Sequence, residues 1–100
     1  MHNYKELNIW KRAMKLAVDV YCISATFPSD ERFGLTSQIR RAAVSIASNI
    51  AEGAGRNTNG EFIQFLGIAN GSSFELTTQI LIAAELDIVK VEAEIGRAHV

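Results

Sequence analysis

One proline, Pro28, interrupts a hundred residues whose apolar side chains otherwise recur at steps of three and four. Proline lacks an amide hydrogen and clashes with the preceding helical turn, so a chain with only one can hold long unbroken helices on either side of it. Before Pro28, the side chains of Leu7, Trp10, Met14, Ala17 and Tyr21 gather on one face of a helix predicted over about 5–26, with Lys11, Arg12, Lys15 and Asp19 largely outside that stripe. After it, Ser29-Asp30-Glu31-Arg32 has the order of a short capped turn, and Gly34 permits a change of direction.

A second helix is predicted over about 36–55, where Ile39, Ala43, Ile46 and Ile50 form a core seam. The neighbours of that seam are unusually small: Ala42, Ser45, Ala47, Ser48, Ala51 and Gly53 leave room for other helices to approach its backbone. That composition predicts a central, tightly packed helix. Gly53 and Gly55 end it, and Thr58 followed three positions later by Glu61 is a capping-box pattern. The third helix, about 58–86, carries Phe62, Phe65, Leu66, Ala69, Ser73, Leu76, Ile80 and Ala83 on one face, and Gly71 inside it points to a close crossing. Asp87 to Lys90 reads as a turn, and a fourth helix is expected from about 90–93 onward. Residues 94–100, Glu94-Ile95-Gly96-Arg97-Ala98-His99-Val100, look like a translated sequencing adapter and are set aside, leaving a single domain over 1–93.

Hydrophobic residues at 48% are enough for one core without a disulfide or metal staple. The formal charge of -1 gives no long-range attraction for polyanions, so any nucleic-acid surface must be a local patch. The charge is unevenly placed, with eight basic and five acidic residues up to Arg56 and two basic and six acidic after it. The single cysteine, Cys22, fits a reducing compartment and reads as a small buried or half-buried hydrophobe. The amino terminus has no basic-then-apolar leader, and no segment approaches the roughly 20 apolar residues of a membrane span. The expectation is a cytoplasmic protein without a membrane partner.

Material for catalysis is scarce. His2 and His99 are near the termini, Cys22 has no histidine near it, and no Glu-x-x-His pair exists to build a carboxylate metal site in a helical bundle. The glycine-rich stretch from Glu52 to Gly60 lacks the Gly-Lys-Ser/Thr ending of a phosphate loop and reads as a helix terminus. No catalytic residue, metal or cofactor is expected, and the chain is read as not an enzyme. The basic residues Lys11, Arg12, Lys15, Arg40, Arg41 and Arg56 remain. They read either as a solvated face with ion pairs within or between subunits, or as phosphate contacts, for which the forked guanidinium is well suited.

Several words in fixed order carry a resemblance. They are Leu7-x-x-Trp10-Lys11-x-Ala13, Phe27-Pro28 with Glu31 and Phe33-Gly34-Leu35, Ser37-Gln38-Ile39-Arg40-Arg41-Ala42-Ala43-Val44-Ser45-Ile46, and Ser48-Asn49-Ile50-Ala51-Glu52-Gly53 with Gly55-Arg56. With Glu61-Phe62, Phe65-Leu66, Gly71-Ser72 and Glu75-Leu76 they make the chain, over about 4–90, resemble the family encoded by intervening sequences in bacterial 23S ribosomal RNA genes. The resemblance implies an all-α, up-down antiparallel four-helix bundle, here with its fourth helix truncated, that assembles as a homopentameric ring. It also implies a relationship to the accessory variability determinant of diversity-generating retroelements, which binds nucleic acid and a reverse transcriptase. Ser45, Asn49, Glu52 and Gly53 match structural positions of the family, and Arg40, Arg41 and Arg56 its basic positions. The resulting expectation is a non-catalytic, nucleic-acid-associated adapter that binds RNA or DNA as a homo-oligomer. The alternative is a protein-interaction scaffold whose arginines pair between subunits.

Overall fold

A computed structural model describes residues 3–89. Three helices follow one another, α1 (Tyr4–Ser24), α2 (Leu35–Ala54) and α3 (Asn59–Glu85), with one 3-10 turn at Ser29–Glu31 between the first two. The described residues are all-α and contain no strand. The expected four-helix bundle is therefore corrected to three helices. The fourth helix, expected after the turn over 87–90 and implied again by the resemblance, has its place from 90–93 onward, which lies outside the described residues.

Each helix boundary has a local cause. Asn3 Oδ1 accepts from the Glu6 amide at 2.9 Å and opens α1, and Thr58 Oγ1 accepts from the Glu61 amide at 3.1 Å and opens α3. Gly34 has no side chain to cap α2, so Glu31 Oε1 takes that role by accepting from the Leu35 amide at 3.3 Å. At the far end of α3, Asp87 adopts φ 58, and the Ile88 amide reaches back to the Ala83 carbonyl at 2.9 Å. This left-handed termination turns Ile88 and Val89 against the core.

The helices alternate in direction. Arg40, early in α2, bonds Ser24 at the end of α1, and Gly53, late in α2, faces Phe62 and Phe65 at the start of α3. Of the eleven buried apolar residues that pack together, α2 supplies six, Ile39, Ala42, Ala43, Ile46, Ala47 and Ile50, so it is the central helix. Both other helices pack on it, and no Cα of α1 lies within 8 Å of one in α3. The predicted seam of α2 is fully buried.

The stripe expected on α1 is rotated. Ala13 and Val20 are buried against α2 while Met14 and Tyr21 are exposed, because the small alanines of α2 draw the smaller side of α1 toward them. Cys22, expected inside, is exposed. On α3, Ser73 is exposed and its neighbour Ser72 turns inward instead. The close crossing is also displaced from its expected place. A Cβ added at Gly71 would meet nothing within 4 Å, whereas one at Gly53 would stand 2.8 Å from Phe65 Cβ and 3.0 Å from the Phe62 ring. A polar contact joins the same two helices, with Ser45 Oγ and Ser72 Oγ 2.9 Å apart, and within α2 Asn49 Nδ2 donates to the Ser45 carbonyl and hydroxyl at 2.8 and 3.0 Å.

This packing makes two glycines behave oppositely. Gly53→Ala forces α3 outward and should destabilise the chain by about 1–3 kcal/mol, while Gly71→Ala should be neutral or stabilising by up to about 1 kcal/mol. Chemical denaturation of both variants checks this, and equal losses would contradict the placement of the crossing.

Candidate nucleic-acid interface

The six basic residues singled out by sequence divide by what they touch. Arg40 is half-buried and bound to α1: its Nε donates to Ser24 Oγ at 2.8 Å, Nη2 donates to the Tyr21 carbonyl at 3.4 Å, and the guanidinium lies 4.6 Å from the Tyr21 ring centre. It adds a donor to a carbonyl in the last turn of α1 that already accepts from the Ala25 amide, and positive charge there suits the helix dipole. Arg56 pairs with Glu52 at 3.3 Å and lies 4.7 Å over the Phe65 ring. Lys15 pairs with Asp19 at 3.1 Å in an exposed contact of little energetic weight. Lys11, Arg12 and Arg41 are exposed and make no ion pair among the described residues.

These positions do not form one compact patch. Lys11, Arg12 and Lys15 share one stretch of α1, but Arg40 sits beside Ser24, about 18 Å further along the axis from Arg12 at 1.5 Å per residue. Arg56 lies at the opposite end, lining the same cleft as Glu6. Adjacent residues on a helix diverge by about 100 degrees, which is why Arg40 turns onto α1 while Arg41 faces solvent. Of the positions read as structural, Gly53, Ser45 and Asn49 lie at the α2–α3 contact, and Glu52 is exposed and holds Arg56.

One polar site was not anticipated. Where the start of α1, the end of α2 and the start of α3 converge, a cleft of about 330 Å³ is lined by Asn3, Glu6, Arg56, Asn57, Asn59 and Phe62, among others. Glu6 is only 6% exposed, and its Oε2 has no hydrogen-bond partner. A buried acceptor left without a donor costs about 1–3 kcal/mol, more for a charged group. The spacing Asn3-x-x-Glu6 was the available signal, since it is the order of an N-cap and its third helical residue. Among the described residues no three His, Cys, Asp or Glu side chains come together as a metal-ion set.

Over residues 5–96 the sequence matches the family described as 23S rRNA-intervening sequence protein. The chain belongs to that family. No curated protein matches it.

The 23S rRNA-intervening sequence fold seen here also leaves much apolar surface uncovered. On α1, Ile9, Leu16 and Ile23 recur every seven residues and are exposed, and on α3 Ile63, Phe74, Leu81 and Ile82 are exposed as well. Between α1 and α2 a groove of about 520 Å³ is bordered by Trp10, Met14, Val18, Tyr21, Cys22 and Val44. Apolar residues scattered singly over a surface are ordinary, whereas these recur along two helices of a small domain. Among the described residues no helix is long and apolar enough to cross a membrane.

The unequal roles of the paired arginines can be separated. Arg40→Ala should lower stability by about 1–3 kcal/mol, because it removes the donor to the buried Ser24 hydroxyl and the cation over the Tyr21 ring, and Arg41→Ala should change it by less than about 0.5 kcal/mol. Thermal unfolding of both variants is the check, and a larger loss at Arg41 would reverse the assignment.

Proposed function

We propose that this member of the 23S rRNA-intervening sequence family is a non-catalytic, nucleic-acid-associated adapter that acts as a cytoplasmic homo-oligomeric ring, pentameric in the intact protein. The observation that carries the proposal is the division among the basic residues. Arg40 and Arg56 are engaged within the fold, while Lys11, Arg12 and Arg41 stay exposed without an ion pair. A cation already held by a carboxylate or carbonyl gains little from a phosphate, whereas an exposed one releases counterions when it reaches the backbone of RNA or DNA. Three such charges per chain are weak alone and add when several copies present them together.

Assembly has its own support. The exposed apolar residues of α1 lie among Lys11, Arg12 and Lys15, and those of α3 among Glu61, Glu75 and Glu85. Two different surfaces of opposite charge suit a head-to-tail contact, and such contacts close into rings when the rotation allows. A reverse transcriptase, suggested by the resemblance to the accessory variability determinant, is a protein partner compatible with an adapter of this kind. A second reading, a scaffold that touches only protein, is favoured by the exposed Ile9, Leu16 and Ile23 stripe.

Titrating single-stranded RNA into the protein across a salt series tests the first reading. Affinity should fall as salt rises, and replacing Lys11, Arg12 and Arg41 together by glutamine should flatten the slope by about 2 per bound chain. Binding indifferent to salt, or unaltered in the triple variant, would reject nucleic-acid contact through these residues. Sedimentation at rising concentration tests the ring, and a chain that stays monomeric throughout would reject that part.

A further inference from the structure

The cleft at the junction of the three helices holds a carboxylate that nothing in the fold satisfies. Glu6 is 94% buried, as the complement of its 6% exposure, yet it lines an open cleft, and its Oε2 has no donor. A group of this kind accepts hydrogen bonds and cannot give them. The missing partner therefore carries N–H or O–H groups.

The surroundings narrow the choice. Arg56 lines the same cleft, and α1 and α3 both begin there, at Asn3 and Thr58, so the positive ends of two helix dipoles are close by. Arg56 is held by Glu52, so the helix ends set the field there, and that field does not favour a lysine or arginine side chain. A neutral donor that also brings an anionic group suits it. The half-buried Phe62 provides an aromatic wall, its ring backed by Gly53.

From this geometry we infer that the cleft binds an unpaired guanine of a single-stranded nucleic acid, with Glu6 accepting from the base edge, Phe62 flanking its face, and the first turn of α3 near its phosphate. This inference rests on the adapter reading above for the source of the base. Unpaired bases are recognised in this manner, splayed out, flanked by aromatic rings and hydrogen-bonded along their edges. Guanine differs from the other bases in presenting its ring imino and exocyclic amino groups side by side, two donors toward one carboxylate. Adenine and cytosine set a ring nitrogen acceptor beside their amino group, and uracil flanks its imino group with two carbonyls. An acceptor-only side chain repels those neighbouring lone pairs. Asn59 and Asn57 on the rim supply amides that can serve the remaining polar atoms of the base.

The test uses the full chain and four mononucleotides, the 5′-monophosphates of guanosine, adenosine, cytidine and uridine, followed by amide chemical shifts. Guanosine monophosphate should bind about tenfold tighter than the other three and move the amides of Glu6, Gly53 and Asn57 to Phe62. Inosine monophosphate, which lacks the exocyclic amino group, should lose most of that advantage. In Glu6→Gln the preference should collapse to within about threefold, because the amide adds a donor where the base also donates. Equal affinity for all four nucleotides, tighter binding of free arginine than of guanosine monophosphate, or an unchanged ranking in Glu6→Gln would overturn the inference. The ranking is measured first on the unaltered chain, so the outcome does not depend on the variant folding. Single-stranded RNAs with and without guanine then separate the two claims. RNA held in a salt-dependent way regardless of guanine rejects the cleft alone, and no RNA binding beside an intact nucleotide ranking rejects the adapter alone.

Discussion

How near another helix can come to the backbone of α2 governs the rest of the molecule. Alanines at 42, 43 and 47 and the glycine at 53 leave α2 with little bulk on the sides it shares, so its neighbours settle close to it. Close settling turns small residues inward on the partner as well. Ala13 and Val20 of α1 and Ala69, Leu76 and Ala83 of α3 share the core with α2, while Met14, Tyr21, Phe74 and Leu81 face solvent. The exposed apolar stripes thus have the same origin as the tight core.

Close packing of small residues has little shape of its own to prevent one helix sliding along another, and polar bonds supply the register. Ser45 meets Ser72 only when α2 and α3 are aligned as observed, and Asn49 holds the Ser45 hydroxyl from one turn further on. Arg40 does the same for α1, bonding Ser24 and covering the Tyr21 ring. Each bond is modest against water, but a slipped register would cost these half-buried groups their partners and leave the buried Ser24 hydroxyl without its donor.

The same physics explains what the sequence made readable. The seam of α2 was clear because a helix buried on two sides must place apolar residues wherever a neighbour lies, so spacing alone finds Ile39, Ala43, Ile46 and Ile50. On α1, weighting by size misleads: Met14 and Tyr21 are the more conspicuous hydrophobes, yet close approach selects Ala13 and Val20. Glycine in α3 raised a parallel difficulty, since a single sequence does not distinguish an open glycine at 71 from a crowded one at 53. A fourth helix rests on the turn read over 87–90 and on the resemblance to a family, with too few residues after that turn to show a periodic stripe, and there the expectation departs from the three helices described. Glu6 went unnoticed because burial of a charged residue near a terminus leaves no periodic trace, and only the converging ends of three helices produce it.

The basic residues show why composition is a poor guide to an interface in a chain so close to neutral. Arg40 and Arg41 are indistinguishable as letters, but a rotation of about 100 degrees assigns one to a carbonyl and a tyrosine ring and the other to solvent. A guanidinium that already serves the fold must abandon those partners before it can hold a phosphate, so its contribution to binding is reduced by what the fold loses. Exposed, unpaired cations carry no such penalty. In the proposed adapter a patch built from them would gain with the number of copies lined up, which would tie recognition of a polyanion to assembly through the apolar faces on α1 and α3.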